Sequence, residues 1–394
     1  MSTNHRWLYI SLLLIGLLPY ITGNFLTYSL TIILYILALV LLVLMNKSIN
    51  LTVSSLLFLG ALTIIYIIHM FVHTPIHVGI WSPTIRSPVL ILSILVNIFV
   101  LPRLLSLDSF FKITSIFSVI LVLIGLPSVI LGPYSIIVPI EPHPAQHDFL
   151  PTPLLSSIFA GPNSLARIAL PSTIFSFSLM LVYKNRLYST IFLINSAGLF
   201  LSYSRINLGA LLVGITMFLL YIIFDRNIEY TFPIAGAVIG VTVVIISYGL
   251  MPDLPIIPQV HVSGRDVLWN ATLQASTDNP LIGFGPGNQG EDIQPYITDP
   301  RYAGLNPHSA YFRLLLSTGI IGLISYLMFL ITNIVLQSKQ VTDYFSLGLL
   351  IAAIIVCINQ ITGSYSLFGL SPWSMIAGMT FGFIIKRSCS SHYS

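Results

Sequence analysis

Within "LNPHSAYFRLLLSTGIIG", residues 305–322, a histidine and an arginine stand at and just inside the start of an apolar run long enough to form a membrane helix. An imidazole titrates near pH 6.5 and can take or orient a proton close to neutrality. A guanidinium stays ionised and grips phosphate through a planar fork of donors. An ionisable residue inside a span is a functional candidate unless it snorkels outward or pairs with an acid, which for Arg313 could be Asp266. Arg205, in "LSYSRINLGALL", lies between two apolar runs with almost no loop to hold it. Arg265, in "SGRDVLW", falls in the first turn of a short helix expected from about Gly264 to Ser276. That helix would be opened by the capping pattern Ser263 to Asp266 and ended by Asp278-Asn279-Pro280. A cation there opposes the helix dipole, but together with the positive helix end it suits a bound anion.

The arginines form a larger set. Arg86, Arg167, Arg205, Arg265, Arg301 and Arg313 fall on one face of the expected membrane topology, with no lysine among them. Phosphate binding explains that choice of cation, and Arg86 and Arg301 can equally be read as snorkelling to lipid headgroups. At helical spacing His308, Phe312 and Leu315 share a face, and Arg313 lies on another, about 7–8 Å deeper. Gly319, Gly322 and Ser325 form a small-residue seam for close helix packing.

Other patterns fit established chemistries less well. Gly285, Gly287 and Gly290 in "GFGPGNQG" satisfy G-x-G-x-x-G, but no strand precedes them and no acidic residue follows on a second strand, so the dinucleotide reading is rejected. A tight turn passing close to a ligand or another helix fits better. His69, His73 and His77, and also His143 and His147, have ligand-like spacing. Pro75 and Pro144 interrupt both sets, so histidines lining a sugar groove are preferred to a metal site, and no metal or cofactor is expected. Asn270-Ala271-Thr272 is a glycosylation sequon. Cys357 and Cys389 offer neither a disulfide framework nor a CxxC site.

These residues must be positioned by membrane helices. The 394 residues are 56% hydrophobic and 7% charged, with a mean hydropathy of +0.93, which excludes a soluble domain. About 20 apolar residues span a bilayer. On that ruler twelve spans are expected, near 7–23, 25–45, 51–72, 88–105, 111–132, 164–183, 187–202, 206–224, 231–250, 309–336, 345–362 and 372–385. The fold class is therefore all-α, a polytopic helical bundle in three parts: spans one to nine over 1–250, an extracytoplasmic loop with a short helix over 251–308, and the last three spans over 309–394. The first apolar run lacks a convincing cleavage site and reads as a span.

Lys47, Lys112, Lys184, Lys339 and Lys386 fall on one face with Arg6, Arg103, Arg186, Arg226 and Arg387, which makes that face and both termini cytoplasmic. The opposite face carries the long connections and most acids, including Asp148, Asp253 and Asp299. The net charge of +4 reflects this orientation more than an acidic partner.

Three motifs in order, "SYSR", "SGRDVLW…NPLIGFGPGN" and "HSAYFRLLLSTGIIGL", resemble the O-antigen ligase and O-antigen polymerase superfamily. The motifs cover about residues 201–325. The resemblance implies a GT-C-like bundle in the plasma membrane and a metal-independent glycosyltransferase. Its donor would be a polyprenyl-diphosphate-linked glycan, its acceptor a hydroxyl on a glycan, lipid or protein. Its site would face outside or the periplasm, with membrane lipids as surroundings and no nucleic acid partner.

By the same resemblance Arg205, Arg265 and His308 occupy the functional positions. Arg313, Arg167 and Tyr311 are further candidates for holding the diphosphate or substrate. Ser309 and Ser317 stand where an asparagine and a glutamate are usual, which bears on the acceptor. Arginines can stabilise the leaving diphosphate, and His308 can act as a base or orient the hydroxyl. Attack opposite the leaving group would invert the anomeric centre. Ligase and polymerase remain alternatives, and a transporter or lipid flippase is the reading from another class. The absence of repeats and the clustering of charges at the outer boundary favour the enzyme.

Overall fold

A computed structural model describes residues 5–22, 25–49, 51–72, 82–136, 138–144, 153–224, 265–363 and 367–390. The expected span 231–250, the capping residue Ser263, His73, His77, His147, Arg226, Asp148 and Asp253 lie outside them. The described helices are α1 (Arg6–Thr22), α2 (Phe25–Leu44), α3 (Val53–Val72), α4 (Pro83–Leu104), α5 (Leu107–Leu131), α6 (Pro162–Tyr183), α7 (Arg186–Ser202), α8 (Arg205–Ile223), α9 (Arg265–Ser276), α10 (Gln289–Ile293), α11 (Ala310–Ser338), α12 (Tyr344–Thr362) and α13 (Pro372–Ser390). Seven of these, α3 to α6, α8, α11 and α12, are long and apolar enough to cross a membrane, and α1 and α2 contain shorter apolar segments. The protein is a polytopic helical membrane protein. The departures from all-α among the described residues are a two-residue antiparallel ladder, Tyr134–Ser135 with Pro139–Ile140, and an isolated bridge between His143 and Leu154.

Local sequence explains where the helices stop. Ser106 accepts the N–H of Ser109 to open α5, and Asp343 with Ser346 closes a reciprocal capping pair at the start of α12. Lys184 and Tyr203 adopt left-handed backbone at the ends of α6 and α7, so connections of two residues reverse the chain.

The interior is held by α12, 83% buried over its apolar stretch, and α6, 72% buried. Their hydroxyls cause no unmet need in an apolar setting. Ser172, Thr173, Ser176 and Ser178 donate to carbonyls one turn back, at 2.7 to 3.0 Å. A Cβ added at Gly348 would meet the Ser178 hydroxyl at 2.1 Å, so α12 lies against α6 because that position has no side chain. Phe111 stacks on Phe175 at 4.1 Å between centroids and Phe58 on Phe329 at 4.5 Å, which ties α5 to α6 and α3 to α11.

Two ends of the bundle are chemically distinct. At one, Lys47 donates to the Arg103 carbonyl at 2.7 Å and Lys386 to those of Pro102 and Leu105 at 2.7 and 3.1 Å. Cations from α2, α4 and α13 thus gather where their helices finish. At the other end α4 and α13 begin, with Arg86 and Trp373 beside one cavity. The two helices are locked together where α4 loosens into a π segment, Leu95–Val100. Buried Asn97 there accepts from Tyr35 at 2.7 Å and donates to the Gly369 carbonyl at 3.1 Å, fixing the segment before α13 that forms a cavity wall.

Candidate functional site

The cavity holds about 560 Å³. Arg86 of α4, Arg167 of α6 and Arg313 of α11 converge on it with Asn288, Gln289 and Asn306, and Ile32, Val89, Leu90 and Leu314 supply apolar wall. Arg313 Nε donates to Gln289 Oε1, and Gln289 Nε2 donates back to the Arg313 carbonyl at 3.2 Å, so one side chain orients the guanidinium and ties α10 to α11. Arg86 donates to the Gly287 carbonyl at 2.5 Å, and its charge lies within electrostatic range of Asp292. Three guanidiniums beside an apolar wall have the donor geometry and charge to hold an anion.

His308 lies in sequence between the wall residues Asn306 and Ala310, within electrostatic range of the cavity arginines Arg167 and Arg313. Burial, followed by the charges of Arg265, Arg167 and Arg313, pushes its pKa down to about 4. The imidazole is therefore neutral at physiological pH and able to accept a proton. Arg265 reaches this neighbourhood because α9 is docked one turn further on: Trp269 donates its indole N–H to the Pro307 carbonyl at 2.9 Å and stacks on Phe312 at 5.2 Å. Positions four apart share a helix face, so the docked face is the one carrying Arg265.

The glycine-rich segment before α10 is built into α11. At Gly319, φ +63 and ψ −166, that helix is broken. The carbonyls of Leu316 and Ser317 accept from Phe284 and Gly285 at 2.8 and 3.0 Å, and the N–H groups of Ile320 and Ile321 donate to Pro280 and Leu281 at 2.8 and 3.3 Å. The loop thus replaces the intrahelical bonds lost at the break. A Cβ at Gly319 would stand 2.3 Å from the Leu281 carbonyl carbon, and one at Gly283 2.5 Å from Leu316 O. Of the glycines expected to make a close approach, Gly285 bonds to α11 and a Cβ on it would stand 2.9 Å from His69 of α3, whereas one on Gly290 would meet the Gly304 carbonyl. The small-residue seam needs correction at Gly319, which packs on the loop; Gly322 faces Leu62 of α3.

Of the sequence candidates, Arg167 and Arg313 line the cavity, and Arg265 joins them within electrostatic range of His308. Arg205 is exposed and off the cavity wall. It stands next to Ser204, whose hydroxyl accepts from Asn207 at 2.5 Å, and Asn207 in turn accepts from Asn359 at the end of α12. Ser309 donates to the carbonyl of the adjacent Gln360 at 3.4 Å, so Arg205 and His308 flank the same helix end. Tyr311 points elsewhere: its hydroxyl donates to the Cys357 carbonyl at 3.0 Å, within the packing of α11 on α12.

Residues 190–327 match the family model for O-antigen ligase. The match supports the resemblance to the O-antigen ligase and polymerase superfamily and points to a membrane enzyme of that kind. Comparison of the chain with curated proteins gives no match. The matched segment contains Arg205, Arg265, Trp269, Gln289, His308 and Arg313. Arg86 and Arg167 lie outside it and complete its cavity from α4 and α6.

Several sequence readings change at this point. Arg86 contributes to the cavity rather than reaching only for headgroups, whereas Arg301 forms a surface pair with Asp299 at 2.6 Å. Asn306, Gln289 and Trp269 carry no charge and escaped notice; their signal was adjacency to His308, Gly290 and Arg265. His69 is engaged by the chain itself: its Nε2 lies 2.9 Å from the Ile282 carbonyl. His143 pairs through its backbone with Leu154. Among the described residues no group of three or more His, Cys, Asp or Glu could hold a metal ion. In the sequon, Thr272 is buried and bonded to the Leu268 carbonyl at 2.7 Å within α9.

Proposed function

We propose that the chain is a membrane glycosyltransferase that moves a glycan from a polyprenyl-diphosphate donor to an acceptor hydroxyl on the extracytoplasmic face, as an O-antigen ligase does. The observation that carries this reading is the cavity in which Arg86, Arg167 and Arg313 meet an apolar wall beside neutral His308. The donor diphosphate lies among the guanidiniums and its lipid along the apolar wall. The acceptor oxygen attacks the anomeric carbon as the bond from that carbon to the diphosphate oxygen breaks; the diphosphate leaves with the electron pair and the acceptor proton passes to His308. Preorganised guanidiniums stabilise the leaving charge, with Arg265 within electrostatic range of His308 and Arg205 approaching from the start of α8. Attack from the side opposite the diphosphate inverts the anomeric centre.

In this reading twelve spans form a GT-C-like bundle. Both termini lie with the lysine-rich end in the cytoplasm, and the cavity opens at the other end. Purified protein in proteoliposomes with a lipid-linked glycan and an acceptor lipid tests it. Loss of transfer in His308→Ala, Arg265→Ala and Arg205→Ala is expected, and full activity in all three sinks the proposal. A polymerase would use the same donor and leaving group. Gene deletion separates the two: a ligase loses all attached glycan and accumulates lipid-linked polymer, and a polymerase leaves single repeats attached.

A further inference from the structure

His308 has φ +50, in the left-handed region that only a few per cent of non-glycine residues occupy, histidine more often than most. Such a conformation persists only where neighbours hold it. Here the neighbours are identifiable. Asn306 Oδ1 accepts the His308 N–H at 3.0 Å, closing an Asx turn. Pro307 between them is pinned through its carbonyl by Trp269, and Ser309 after them through its hydroxyl by the Gln360 carbonyl. Asn306 and Ala310, on either side of the histidine, both face the cavity.

We propose that Asn306 is a positioning residue of the transfer reaction, its carboxamide oxygen holding the His308 backbone in the left-handed turn that presents the imidazole at the arginine cavity. Removing the oxygen releases the turn, and the imidazole then samples positions from which the acceptor hydroxyl is out of reach. Misplacement of a reacting group by about 1 Å lowers rates by about 100-fold. The hydroxyl of serine accepts the same N–H two residues on. An aspartate also accepts it, and adds a negative charge opposite Arg265 of α9, Arg167 of α6 and Arg313 of α11, the charges acting on His308.

The inference rests on His308 acting on the acceptor hydroxyl, so His308→Ala is the control in the same proteoliposome assay. Wild-type transfer by H308A removes the role assigned to His308, on which the inference rests. With H308A inactive, Asn306→Ala is expected to lower kcat about 10- to 100-fold with the donor KM changed less than about 2-fold. Asn306→Ser recovers most of the rate, and Asn306→Asp, whose charge also opposes a diphosphate in the cavity that Asn306 lines, moves the acid limb of the pH profile upward. Wild-type kcat in Asn306→Ala, or a Ser variant as slow as Ala, overturns the proposal while leaving the functional reading intact. Should Asn306→Ala not fold, Asn306→Gln, which displaces the oxygen by one carbon, serves as the disruptive variant under the same criteria.

Discussion

The indole N–H of Trp269 and the backbone carbonyl of Pro307 meet at 2.9 Å, joining the helix that carries Arg265 to the residue preceding His308. Trp269→Phe keeps a ring for the stack on Phe312 and loses this bond. It is expected to destabilise the protein by about 1 kcal/mol and to lower kcat, since the spacing between Arg265 and His308 relaxes. Thermal unfolding in detergent and steady-state transfer measure the two effects. Trp269→Ala loses the stack as well and is expected to be worse in both.

The depressed pKa of His308 fixes the sign of two pH effects. The unfolded histidine titrates near 6.5 and the folded one at about 4. Above about pH 6.5 both are neutral; as pH falls from there toward 4, the unfolded state takes up a proton that the folded state refuses, and stability declines. For catalysis, kcat/KM reports the free enzyme and its acid limb is expected near the depressed value. A bound diphosphate offsets the arginine charges, so the limb of kcat is expected at higher pH. Coincident limbs would count against an anion beside His308.

Arg86, Arg167 and Arg313 approach the cavity from three helices, which predicts a shared effect on donor affinity. Replacing any one by alanine should weaken inhibition by an isoprenyl diphosphate by about 10-fold or more, as expected for loss of a charge-assisted bond of roughly 1.5–3 kcal/mol. Arg301→Ala, in a pair exposed to solvent, is expected to leave it unchanged.

Gly319→Ala is expected to destabilise by well over about 1 kcal/mol, because alanine is strained at positive φ and its methyl would overlap the Leu281 carbonyl. The loop it displaces leads through Gly287 and Gln289 to the cavity, so isoprenyl diphosphate binding should weaken too. Wild-type binding in the variant would show that the loop is not needed to shape the site.

Charge and hydropathy made the helices and the arginine set legible, because an ionised side chain in an apolar chain is costly wherever it lies. What the arginines do individually was not legible. Arg86 and Arg301 looked alike in sequence, and only tertiary position separates a cavity wall from a surface pair. Gly319 looked like part of a helix-packing seam because its neighbours at 322 and 325 are small. Its positive φ arises from a loop about 35 residues earlier in the chain, bonded into the break. Neutral groups such as Gln289 and Asn306 act through single directed bonds, which no composition or periodicity reports.

The break at Gly319 also bears on how α11 can be inserted into a bilayer at all. The helix has 29 residues, longer than a hydrocarbon core requires. The part from Gly319 to Ser338 is about 20 residues, roughly 30 Å of helix, and alone matches the thickness of the lipid tails. The preceding turns, with Arg313, belong mechanically to the segment 280–285 strapped across the break. A chain built this way can place a permanent cation on what reads as a single long span without ever dissolving that cation in oil.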